Sequence, residues 1–233
     1  MMLKNPFREL NLFEICLWAV SVISSIVSFV FSGGESIISL LASILGVTAL
    51  IFIAKGNVWG QVLCIIFSLL YAYVSLKFKY YGELITYLFM SAPMALLSLI
   101  SWIRNPYRNT STVKINNLKP WHFIAVFALS IPVTVIFYYL LRMLDTANLL
   151  VSTVSITTSF IAASLTFLRS PLYAIGYAAN DIILIILWIM AAVKDISYLP
   201  MVICFVMFLA NDMYGFFNWQ RMKRAQQQGI DEE

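Results

Sequence analysis

PLYAIGYAANDIILIILWIMAAV, residues 171–193, and YLPMVICFVMFLANDMYGFFNW, residues 198–219, are two apolar runs, each interrupted by an Asn-Asp pair. Each is about as long as the ~20 residues a helix needs to cross a hydrocarbon core. Polar groups at that depth cost at least a few kcal/mol unless they are paired or face a cavity, about 3 kcal/mol for a lone aspartate. Asn180, Asp181, Asn211 and Asp212 are therefore expected to face inward. Helical spacing tells what shares those faces: Tyr177 and Trp188 fall on the stripe of Asp181, with Asn180 beside it. On the next run Asn211, Tyr214 and Asn218 recur at i, i+3 and i+7. Amides beside flat aromatic faces suit a small, ring-containing, hydroxylated solute.

Composition agrees with a membrane reading. The chain of 233 residues is 61% hydrophobic and 11% charged, with a mean hydropathy of +0.87, too little charge to cover a soluble domain of this size. Further apolar runs at Phe13–Phe31, Ile37–Ala54, Val58–Leu76, Leu84–Trp102, Trp121–Leu141 and Leu149–Leu168 bring the total to eight expected spans. Phe13–Phe31 is long for a signal-peptide core and lacks a small-residue cleavage site, so it is read as a retained helix. Cys16, Cys64 and Cys204 each lie in an apolar run, with no metal-ligand or disulfide spacing. A net charge of +4 does not mark a nucleic-acid face, because the basic residues stand at the ends of runs. Eleven of the fifteen Lys and Arg fall on the side of Lys4, Lys55, the Ile103–Pro120 connection, Arg169 and the tail, and four (Lys77, Lys79, Arg142, Lys194) on the other. This bias puts both termini in the cytoplasm. Gly33-Gly34, Lys55-Gly56-Asn57 and Arg169-Ser170 read as tight turns. Pro120 and Pro171 suit first-turn positions, and Pro93 and Pro132 are expected to kink the spans that hold them. Trp102, Trp121 and Trp219 read as interfacial anchors.

Ile37–Arg104 and Leu149–Arg221 each hold three runs, with a basic residue after the first (Lys55, Arg169) and a Trp-x-Arg closing the third. The interval from basic residue to Trp is 47 in one and 50 in the other. A single linking span between two three-helix units makes them parallel, related by an axis along the membrane normal. The expected organisation is an all-α integral membrane protein of 3+1+3 parallel repeats with one extra N-terminal helix. Its parts are that helix (1–36), the first unit (37–104), a cytoplasmic loop and linker helix (105–148), the second unit (149–224) and a cytoplasmic tail (225–233). Gln61 on the second helix of the first unit, with Trp59, Tyr71 and Tyr87, lies across the pseudo-axis from the Asn-Asp runs. No HExxH, GxSxG or paired-carboxylate motif at ligand spacing points to an enzyme. A receptor or scaffold would want more extramembrane surface than the Ile103–Pro120 connection gives.

The 3+1+3 parallel arrangement is that of the SWEET sugar transporters. From about Ile37 to Arg224 the chain resembles the PnuC family of bacterial vitamin transporters. The residues that carry the resemblance are Tyr80-Tyr81-Gly82, Asn180 and Ala210-Asn211-Asp212-Met213-Tyr214-Gly215-Phe216-Phe217-Asn218-Trp219-Gln220-Arg221. The first unit departs from the pattern, with Ser91-Ala92-Pro93 and Ser98–Arg104 where a similar ending is expected. The resemblance implies uptake of nicotinamide riboside across the bacterial inner membrane by facilitated diffusion, with trapping by a cytoplasmic kinase; relatives take thiamine or riboflavin. It also implies a homotrimer in the lipid bilayer, with no cofactor, metal or nucleic-acid partner. The substrate contacts expected on this basis are Asn180, Asp181, Trp188, Tyr177, Asn211, Tyr214 and Asn218 from the second unit and Gln61, Trp59 and Tyr87 from the first.

Overall fold

Apolar runs in hydrocarbon must satisfy their backbone groups internally, and helices do so within one segment. The computed structural model of the protein describes residues 6–31, 37–77, 81–108, 110–146, 148–194, 196 and 199–229. Gly33, Gly34, Lys79 and Tyr80 lie outside the described residues. After a 3-10 turn at Pro6–Glu9 come α1 (Leu12–Phe31), α2 (Ile37–Ala54), α3 (Val58–Lys77) and α4 (Tyr81–Thr86). A π-helical turn (Tyr87–Ser91) leads into α5 (Ala92–Arg104), followed by α6 (Pro120–Met143), α7 (Leu149–Phe167), α8 (Tyr173–Ala192) and α9 (Leu199–Gln228). Among the described residues, seven helices are long and apolar enough to cross a membrane, Tyr81–Arg104 acting as one; the apolar part of α2, Leu40–Ala54, is shorter.

Both internal prolines act locally. Pro93 cannot donate to the carbonyl of Phe89, and the wide π turn falls immediately before it. Pro132 is absorbed within α6. Pro120 does occupy the first turn of α6, whereas Pro171 stands in the turn ahead of α8, which begins at Tyr173.

Six helices close a ring, each packing on the next in the order α2, α3, α5, α7, α8, α9 and back to α2. The linker α6 sits outside the ring on α7, and α1 sits outside it on α2 and α9. The two halves repeat one another hydrogen bond by hydrogen bond. Gly56 N donates to Ile53 O and Asn57 N to Phe52 O at the end of α2; Arg169 N donates to Thr166 O and Ser170 N to Leu165 O at the end of α7. Each is a Schellman cap, with Gly56 (φ 63°) and Arg169 (φ 58°) in the left-handed conformation. The structural counterpart of Arg169 is thus Gly56, one residue beyond the Lys55 that the charge pattern pairs with it.

The third helices close the repeat by reaching across. Ser101 Oγ donates to Phe167 O (2.8 Å) and Trp102 Nε1 to Thr166 O (3.0 Å), both on α7. In the same way Asn218 Nδ2 donates to Ala54 O (2.9 Å) and Trp219 Nε1 to Ile53 O (2.8 Å), both on α2. Trp102 and Trp219 are 0% exposed and pack 5.5 Å apart between ring centroids. They are interior plugs and not the interfacial anchors that Trp enrichment at membrane faces suggests; Trp121, by contrast, is 60% exposed.

The 105–119 connection covers this end of the ring, here called the loop end. Val113 and Ile115 sink into the cluster of Trp102, Tyr173 and Trp219. Gln226 near the end of α9 fastens the connection, accepting from Ile115 N and donating to Val113 O. Asn116 N donates to Arg169 O, and Asn57 and Ser111 both donate to Glu9. The turns after α2 and α7, the long connection, the C-terminal stretch and Glu9 are therefore joined at one end.

Candidate functional site

A cavity lies at the centre of the ring, and all six ring helices contribute to its wall. It encloses ≈ 880 Å³ of atom-free space, the part open to solvent included. At the loop end the Trp102–Tyr173–Trp219 cluster closes it; at the far end a second apolar cluster, with Phe67, Tyr71, Trp188, Phe205 and Phe208, does the same.

Four buried amide and carboxyl side chains meet there: Gln61 (2% exposed) from α3, Asn180 (6%) and Asp181 (3%) from α8, and Asp212 (3%) from α9. Gln61 Nε2 and Asp181 Oδ2 have no hydrogen-bond partner among the described residues. A buried polar atom without a partner costs about 1–3 kcal/mol, so such atoms on a cavity wall mark where a ligand supplies the missing bond. Asn180 is oriented by two hydroxyls: Ser155 Oγ (2.9 Å) and Thr158 Oγ1 (3.0 Å) both donate to its Oδ1. With both lone pairs of Oδ1 occupied, its N–H groups are what remain for a solute. The carboxyl groups of Asp181 and Asp212 lie within interaction range of each other on the cavity wall. Aromatic faces from Tyr87, Tyr177, Phe205 and Phe208 complete the wall, and none of the described lining residues is Lys, Arg or His.

The expected site residues divide cleanly. Gln61, Tyr87, Tyr177, Asn180 and Asp181 line the cavity. On α8 the lining residues Tyr177, Asn180, Asp181 and Leu184 follow the i, i+3, i+4, i+7 stripe, and Trp188 continues it. Seven residues of helix span about 10 Å, however, which carries Trp188 past the cavity into the far-end cluster. On α9 the wrong stripe was marked by the sequence pattern. Phe208 and Asp212 face the cavity and Trp219 the plug, whereas Asn211, Tyr214 and Asn218 face neighbouring helices. Asn211 Nδ2 donates to Ser21 Oγ on α1 (3.1 Å), Tyr214 donates its hydroxyl to Glu14, and Asn218 bonds α2. Trp59 is half-buried beside the turn after α2, its backbone N–H donating to Asn57 Oδ1, and does not reach the wall. Tyr71 stands behind Tyr87, ring centroids 4.4 Å apart.

Asp212, expected inward but not among the expected substrate contacts, faces the cavity on a stripe with Phe208, Gly215 and Trp219 at i, i+4, i+7 and i+11. Glu14, 0% exposed, pairs with Lys55 Nζ at 3.1 Å and accepts from Tyr214, which binds α1 to α2 and α9. Its signal was a lone acid in the first turn of an apolar run.

A family model described as "Nicotinamide mononucleotide transporter" matches residues 36–221. The nicotinamide riboside transporter PnuC of Neisseria mucosa is 30% identical over 201 residues, covering 84% of this chain and 76% of that protein. The nicotinamide riboside transporter PnuC of Haemophilus influenzae is 21% identical over 214 residues, covering 90% of each. A crystal structure of the vitamin B3 transporter PnuC superposes with a TM-score of 0.79 at 27% identity, over 93% of this chain and 94% of that one. With these matches and a polytopic helical fold, the chain belongs to the PnuC family and is a multi-pass membrane transporter.

Proposed function

We propose that the protein takes up nicotinamide riboside. The observation that carries this reading is the charge of the cavity wall: two carboxyl groups, amides, hydroxyls and aromatic faces, with no cationic side chain among the described lining residues. The Asp181–Asp212 pair presents carboxyl oxygens to the pyridinium. Cation–π contact with Tyr87 or Tyr177 contributes about 0.5–2 kcal/mol, the larger value when desolvated. Gln61 Nε2 and the Asn180 amide are donors for ribose hydroxyls and the carboxamide oxygen. The same wall argues against the phosphorylated nucleotide in the family's description, because a buried phosphate wants Arg, Lys or a helix N-terminus and would face two carboxyls. Riboflavin, uncharged, leaves the acidic pair unanswered; thiamine, a cation, is the second reading that the pair permits.

The repeated caps and the crossed Trp bonds support a 3+1+3 arrangement of parallel units, with α2 as an eighth span. The bonds joining Glu9, three connections and the C-terminal stretch at one end support placing both termini together, and the excess of Lys and Arg there supports the cytoplasm. Facilitated diffusion into a cytoplasm that phosphorylates the riboside fits a cavity that disfavours the phosphorylated product. Calorimetry of the purified protein with nicotinamide riboside, its 5′-phosphate, thiamine and riboflavin tests the assignment. Binding of the riboside alone is expected; preference for thiamine or for the phosphate overturns it.

A further inference from the structure

A second cavity, of ≈ 450 Å³ of atom-free space, adjoins the first at the far end. The two share wall residues Tyr87, Ser91, Ser159, Asn180 and Leu184. Its remaining wall comes from α4, from Leu141 of α6, from Leu187 of α8, and from Thr146 of the α6–α7 connection and Ser152 and Ser155 of α7, which present hydroxyls. Gly82 lets these parts meet, since a Cβ there would come within 2.8 Å of Thr146 Oγ1. Among the described residues its one acidic lining group is Glu83, and no Lys or Arg forms an ion pair with it. Tyr87 stands between the chambers on the π turn, packed against Phe67 and Tyr71.

We infer that this Glu83 chamber is an entry subsite, which holds the cationic, hydroxylated solute at the far end before it passes Tyr87 to the Asp181–Asp212 cavity. The inference rests on the cationic substrate proposed above. The chemistry of the two chambers matches: each offers carboxyl oxygen to a cation and hydroxyl or amide groups to a sugar, and Asn180 belongs to both. A carboxylate in a low-dielectric funnel raises the local concentration of a cation and speeds its capture. The π turn gives Tyr87 a backbone that is already off the regular helical ladder, so that its ring can swing without unwinding α5.

The test compares wild type, Glu83→Gln, Glu83→Asp and Asp181→Asn, using labelled nicotinamide riboside. Initial uptake into cells, normalised to protein in the membrane, is measured beside equilibrium binding to the purified protein. Glu83→Gln is expected to raise the half-saturating concentration for uptake roughly tenfold, to leave the equilibrium dissociation constant unchanged, and to be rescued by Glu83→Asp. Asp181→Asn is expected to lose equilibrium binding. Wild-type uptake kinetics in Glu83→Gln, or uptake and equilibrium affinity falling together, overturns the subsite while leaving the substrate assignment intact. Failure of the wild type to bind the riboside overturns the assignment itself and the subsite with it. As a readout independent of Glu83, Thr146→Cys should react faster with a positively charged thiosulfonate than with a negatively charged one, above the wild-type background, and be protected by the riboside. Equal rates for the two reagents likewise overturn the subsite.

Discussion

Asp181 and Asp212 have no acidic equivalent in the first half. Counting from the matched caps, Asp181 corresponds to Ser68, and counting from the matched tryptophans, Asp212 corresponds to Ala95; both counterparts also line the cavity. The cavity thus has an anionic wall and a neutral one, which fixes how a solute with one cationic end lies in it. Asp181→Asn keeps the hydrogen-bonding shape and removes the charge, so affinity for nicotinamide riboside should fall tenfold or more, a loss of at least ~1.4 kcal/mol by calorimetry. The thermal midpoint should hold or rise, because replacing a buried charge with a neutral isostere relieves its desolvation. Trp188 makes the contrasting case. Trp188→Phe should leave binding unchanged, while Trp188→Ala should cost about 3–5 kcal/mol of stability through the hole left in the far-end cluster, read by thermal unfolding. The sequence makes Asn180 and Asp181 legible as inward groups because hydrocarbon tolerates them nowhere else. Asn211, Tyr214 and Asn218 are equally inward, yet helical spacing tells only which residues share a face. Which neighbour that face meets depends on α1, whose Ser21 and Glu14 take up the bonds of Asn211 and Tyr214, and on α2, whose Ala54 carbonyl takes that of Asn218.

The π turn and α1 show how single elements shape the site. Pro93 was legible as a kink, but not the consequence that Tyr87, Met90, Ser91 and Met94 around it all line the cavity. Pro93→Ala returns an N–H to the helix and lets the bulge relax into regular α-helix. One residue's worth of rotation, about 100°, then turns Tyr87 away from the wall. Transport of the riboside should drop severely while the thermal midpoint rises by a few degrees. α1 was legible as a separate span beside the repeats; its polar stripe of Glu14, Ser21 and Ser25 was not read as a docking face. Glu14→Ala strips Lys55 and Tyr214 of their partner. The cost should lie below the ~3–5 kcal/mol of a fully buried pair, since Lys55 is 24% exposed, and Glu14→Gln should recover part of it in the same unfolding assay.

At the scale of the molecule, the all-helical membrane fold was legible from the lengths of the apolar runs, because each must satisfy its backbone within one segment to cross hydrocarbon. The cross-bonding that makes the repeat work was not, since nothing local in Trp102 or Trp219 names a carbonyl on a helix roughly sixty or more residues away in sequence. That cross-bonding has a further consequence. Each half carries its closing tryptophan for the other half's use, so neither is a self-sufficient body. A gene cut within the 105–119 connection should yield two fragments that are degraded when made singly and that restore riboside uptake when made together, a complementation read directly from growth on the riboside. Mutual custody of the two closing tryptophans means that the pieces should survive only as a couple.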